Sequence, residues 1–109
     1  MRVKDTEEVA LLDAIKRTVM EVDPHARVIL FGSHARGNAN ADSDWDILVL
    51  SSVERRVQVE GPILDRLYDL ELEWGETIIP LVYTYDEWND PVRQCSPFVM
   101  NVAKDGVAL

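Results

Sequence analysis

Two short runs, Arg27-Val28-Ile29-Leu30-Phe31 and Asp46-Ile47-Leu48-Val49-Leu50, are apolar at nearly every position and rich in β-branched residues. Short runs of this kind read as buried strands. The sequence also supplies helices. Leu12, Ile15, Val19 and Val22 recur at helical spacing, Asp5 to Glu8 has the spacing of a capping box, and Asp23-Pro24 ends the run. Gly61-Pro62 opens a second helix, with Ile63, Leu67, Leu70 and Trp74 as its apolar stripe and Gly75 as its stop. Residues 77–85 form a third strand, in which Pro80 indicates an edge or a bulge. Ser96-Pro97 caps a last short helix that Gly106 terminates. The order helix, strand, loop, strand, helix, strand, helix predicts an α/β domain around a small sheet.

With 109 residues, one domain spanning 1–109 is expected. The 11 basic and 20 acidic residues leave a net charge of −9, which disfavours direct nucleic-acid binding or attachment to an anionic membrane. No apolar stretch approaches the ~20 residues of a membrane span, and Met1 to Lys4 opens no signal-peptide pattern. A single cysteine, Cys95, cannot form an internal disulfide, which fits a cytoplasmic protein.

The chemistry is concentrated between the first two strands, in the fourteen turn-prone residues from Gly32 to Trp45. Gly32 follows a buried strand directly, where the missing side chain lets the backbone turn sharply and approach a ligand. Successive N–H groups in such a turn cradle anions, and the Ser33 hydroxyl adds a donor. Arg36 supplies a forked cation suited to phosphate oxygens. Asp44 and Asp46, two apart at the entrance to a strand, leave the same face, while Trp45 and Ile47 point into the core. Two neighbouring carboxylates repel unless a cation lies between them, and hard oxygen ligands suit Mg²⁺. A phosphate cradle beside an acidic pair is what metal-assisted nucleotidyl transfer requires.

Gly32-Ser33, then the ten residues His34 to Ser43, then Asp44-Trp45-Asp46, resembles the motif of the minimal nucleotidyltransferases of the DNA polymerase β-like superfamily. Ala35-Arg36-Gly37 and the layout from the Trp74 helix to the closing Ser-Pro-Phe helix extend the resemblance over nearly the whole chain. It implies a small mixed β-sheet with flanking helices. It implies that Gly32 and Ser33 bind the triphosphate, with Arg36 as a further nucleotide-binding residue. Asp44 and Asp46 would be the catalytic pair that holds Mg²⁺. The implied reaction moves a nucleoside monophosphate, AMP from ATP, to a hydroxyl. So short a chain has little surface for a separate acceptor pocket, which points to a partner protein. By the same resemblance that partner is helical and toxin-like, neutralised within a toxin–antitoxin pair by adenylylation or by binding.

One position departs from the pattern. Catalytic members carry a third acidic residue in the third strand, and its expected place falls near Ile79-Pro80, neither of which binds metal. Glu76, Glu71 and Glu73 are the nearby substitutes. Two alternatives follow: a non-catalytic module that binds nucleotide and protein, or the catalytic half of a small-molecule (antibiotic-type) nucleotidyltransferase. Other residues read more plainly. His25 fits a surface turn, His34 either the phosphates or the surface, and the tryptophans the core. Cys95 fits an inert thiol, and Glu71-Leu72-Glu73 a solvated helix face.

Overall fold

A computed structural model describes residues 3–109, with side chains from residue 6 onward. Helix α1 spans Val3–Val22, strand β1 Arg27–Phe31, helix α2 Gly32–Arg36 and strand β2 Trp45–Ser51. A 3₁₀ turn at Arg56–Gln58 leads into α3, Glu60–Trp74, and β3 follows at Ile78–Thr84. Two four-residue helices, α4 at Tyr85–Trp88 and α5 at Pro91–Gln94, precede α6 at Pro97–Asp105 and the two-residue β4 at Val107–Ala108.

The sheet has the order β3-β2-β1-β4. β1 is antiparallel to both β2 and β4, and β2 is parallel to β3, so the sheet is mixed, as expected. On one face Val28, Leu30, Ile47, Val49, Ile78 and Val82 pack beneath α1 and α3. Those helices contribute Leu11, Ile15 and Val19, and Ile63, Leu67 and Leu70, respectively. On the other face Leu48 and Leu50 are covered by Val102 and Phe98 of α6 and by Trp88 of α4. The six residues Trp45 and Ile47 to Ser51 of β2 are all buried, which explains why its sequence shows no alternation.

Several local expectations are refined. Asp5 lies inside α1 rather than at its cap. Pro62 is the third residue of α3, because the preceding 3₁₀ turn brings the chain into helical geometry earlier. Pro80 occupies an edge strand whose pairing with β2 runs unbroken from Ile78 to Thr84, so it marks an edge and not a bulge. Ser96 caps α6 as read, accepting a hydrogen bond from the Val99 N–H.

One buried polar group ties the layers together. The Asp23 carboxylate, 4% exposed, accepts hydrogen bonds from the Ser51 hydroxyl (2.7 Å) and the Ser52 N–H (2.8 Å). It also accepts from the Ser52 hydroxyl and the His25 N–H. The end of α1 is thereby fastened to the end of β2. Burial alone would raise this carboxyl's pKa, but the four donors outweigh it and hold the group below its ordinary value.

Candidate functional site

The site grows from the join between β1 and α2. Gly32 has φ of 76°, a left-handed conformation that lets the chain leave the strand and enter the helix within one residue. A Cβ built there would collide with the Asp46 carboxylate. Glycine is therefore needed for two reasons, the turn and the room it leaves for a neighbouring acid. Only the second was absent from the sequence reading. At five residues α2 is too short for a developed macrodipole; what it offers an anion is the free N–H groups of its first turn. Gly37, with φ of 79°, closes it by donating to the Ser33 carbonyl. Ser33 is half-buried on that first turn, and Arg36 is exposed at the other end.

The loop that follows holds itself in shape. The Asp42 N–H donates to Asn40 Oδ1 (2.8 Å), and the Asn40 N–H donates to Ser43 Oγ (2.9 Å). Asn40 and Ser43 thus organise the turn, and the carboxylate of Asp44 is left exposed to solvent. His34 locks this loop to the sheet: its ring stacks on Trp45 with centroids 3.5 Å apart, and Nε2 lies 3.3 Å from the Ser43 carbonyl. Trp45 is buried as expected and donates its indole N–H to Glu76 at 3.2 Å.

Asp46 lies at the centre. Burial and the neighbouring Asp44 push its carboxyl above the ordinary value, while His34 and Arg36 pull it down. The structure therefore brings Gly32, Arg36, Asp44 and Asp46 to one end of the sheet, with Ser33 on the helix between them. Two carboxylates that repel each other, one of them partly desolvated, form a hard-oxygen pair that fits a divalent cation completed by phosphate and water. Among the described residues no group of three or more His, Cys, Asp or Glu side chains gathers as a metal site, so the acidic set here is a pair.

The register shows what stands where a third acid would be. Asp46 is flanked across the sheet by Phe31 on β1 and Ile79 on β3. Paired residues leave a sheet on the same side, so the Ile79 side chain, 41% exposed, lies beside the Asp46 carboxylate. None of the suggested substitutes is directed there. Glu71 accepts from the Ile78 N–H at 2.6 Å and so starts β3. Glu76 is engaged with Trp45 on the opposite face, and Glu73 lines a cleft between α1 and α3. Sequence reasoning missed the His34–Trp45 stack, which joins a residue of α2 to a residue of β2 and leaves no periodic signal.

Comparison with known proteins agrees with this geometry. A family model described as "Nucleotidyltransferase domain" matches residues 12–101, a span holding Gly32 to Arg36, both aspartates, Ile79 and most of α6. Two proteins of Methanocaldococcus jannaschii, both named as candidate protein adenylyltransferases, are similar in sequence. One is 31% identical over 83 residues, covering 76% of this chain and 76% of the relative. The other is 29% identical over 79 residues, covering 71% and 80%.

Proposed function

The chain belongs to the nucleotidyltransferase domain family, and from that premise we propose that it transfers AMP from Mg·ATP to a hydroxyl on a partner protein. It is a nucleotidyltransferase by family; the nucleotide, the metal and the acceptor are our reading. The observation that supports it is the close approach of the Asp46 carboxylate to Gly32, which would put phosphate cradle and acidic pair in a single site. The N–H groups at Gly32 and Ser33, the Ser33 hydroxyl and Arg36 would hold the triphosphate in place. Asp44 and Asp46 would hold Mg²⁺, which when bound neutralises charge developing on the phosphates. In the reaction the acceptor oxygen bonds to the α-phosphorus, the bond to pyrophosphate breaks, and the hydroxyl proton leaves to a base. The place of a third carboxylate is taken by Ile79, so this chain offers no base there and transfer depends on the partner or solvent for it.

The names of the two relatives support a protein acceptor, and the family resemblance supports a helical, toxin-like one. Supply of Mg·ATP suits the cytoplasm, and no described helix is long and apolar enough to cross a membrane. Ile79 also favours a second reading, a module that binds nucleotide and partner without turnover. Incubation with α-labelled ATP and Mg²⁺, in the presence of the candidate partner and of hydroxyl-bearing small molecules, separates them. Label on the partner is the expected result. Label on a small molecule would indicate an antibiotic-type enzyme, and unconsumed ATP beside normal Mg·ATP binding would indicate the module.

A further inference from the structure

On α6, Phe98, Asn101 and Asp105 recur at helical spacing and therefore share one face. That face forms one wall of a cavity of about 190 Å³, and the opposite wall is Phe31, Gly32 and Arg36. The cavity thus opens directly off the phosphate cradle. Two of its lining residues are aromatic: Phe31 and Phe98 meet edge to face, with centroids 5.3 Å apart. Its polar side chains are Arg36, Asn101, which is exposed, and Asp105, which is half-buried, and neither Asn101 nor Asp105 has a side-chain hydrogen-bond partner among the described residues. Arg36 and Asp105 face the same space without forming an ion pair. Helix electrostatics do not account for Asp105, because an acid in the last turn opposes the helix dipole.

We propose that this cavity receives the nucleobase, and that Asn101 and Asp105 select a base carrying an exocyclic amino group, adenine in the case of ATP. The proposal rests on the phosphate cradle described above and adds the determinant of base choice. A flat ring fits a small cavity with aromatic walls. A carboxylate accepts hydrogen bonds and cannot donate, so Asp105 favours an amino group and opposes a carbonyl at the same place. The Asn101 amide both donates and accepts, which matches the alternating amino group and ring nitrogen along an adenine edge. Uracil presents carbonyl oxygens instead and is disfavoured.

Equilibrium binding of Mg·ATP, of Mg²⁺ with purine riboside triphosphate, and of Mg²⁺ with tripolyphosphate tests this. Purine riboside triphosphate differs from ATP only in lacking the amino group. The unmodified protein should prefer ATP by about tenfold, the worth of one such hydrogen bond. Asp105→Ala should reduce that preference to within about twofold, and Asn101→Ala should also lower it. The ratio is the readout because removing a carboxylate strengthens binding of every polyanion alike; tripolyphosphate should bind Asp105→Ala at least as well as it binds the unmodified protein. Equal affinity for both nucleotides in the unmodified protein, or a preference that survives both substitutions, would overturn the base cavity while leaving the cradle intact. Failure of all three ligands to bind would overturn the cradle, and this inference with it.

Discussion

A Cβ at Gly32 would fall on the Asp46 carboxylate, and the backbone there has φ of 76°, so a side chain is opposed both sterically and conformationally. Gly32→Ala should therefore cost about 1–3 kcal/mol of stability and displace Asp46, weakening Mg·ATP binding together with the fold. Denaturant titration and nucleotide binding on the same variant check this; a stable variant that binds normally would contradict it. The two perturbed aspartates act on stability in opposite directions. Asp23 has a lowered folded pKa, so its stabilisation is present above the unfolded value of 3.8 and is lost as pH falls through the folded one. Asp46 has a raised folded pKa, so its ionisation costs stability at neutral pH, and that cost is relieved as pH falls through the folded value towards 3.8. Thermal melts of the metal-free protein should show Asp46→Asn more stable than the unmodified chain at pH 7, with the gain shrinking as the pH approaches 4. Asp23→Ala should lose about 1–3 kcal/mol at pH 7, because it strands the buried Ser51 hydroxyl, and the deficit should shrink in acid. Parallel pH profiles for the two variants would be the wrong result.

β3 decides how much chemistry the site can do alone. Its register with β2 places Ile79 against Asp46, on the same side of the sheet and partly in solvent, so a carboxylate there would reach the site without being buried. Ile79→Asp should raise the rate of AMP transfer by about tenfold or more, by supplying the missing proton acceptor. An unchanged rate in a variant that still binds Mg·ATP would mean that two carboxylates suffice. The elements themselves were legible wherever they were long enough to be periodic or wholly apolar: α1, α3, β1, β2 and β3 follow from spacing and from uninterrupted apolar runs. α4, α5 and β4 are two to four residues long, too short to show a period. A local signal for α4 did exist, since Thr84 and Glu87 have capping-box spacing and cap each other with bonds of 3.1 and 2.9 Å. β4 pairs with β1 only after α6 has returned the chain to the sheet, a long-range event that local sequence does not encode.

For the whole molecule, the residues from Gly32 to Asp46 could be read as one motif because a single connection, helix α2 and the loop after it, joins β1 to β2 and fixes their spacing. The residues supplied by distant elements could not: α6 beside the cradle, Ile79 beside Asp46, and Glu76 beneath Trp45 depend on how the layers pack. The charge of −9 is a property visible only at this scale: an acidic surface favours basic partners and repels a free triphosphate, so under the proposed function Mg²⁺ and Arg36 would have to offset that repulsion. The central claim is that the Gly32–Ser33 turn and the Asp44–Asp46 pair form one Mg·nucleotide site. Calorimetric titration of ATP into the unmodified protein and Asp44→Asn/Asp46→Asn, each with and without Mg²⁺, tests it most directly. Binding that requires Mg²⁺ in the unmodified protein, and that the paired substitution abolishes in a folded domain, is the result expected. Mg²⁺-dependent binding of unchanged affinity in the substituted protein would contradict it.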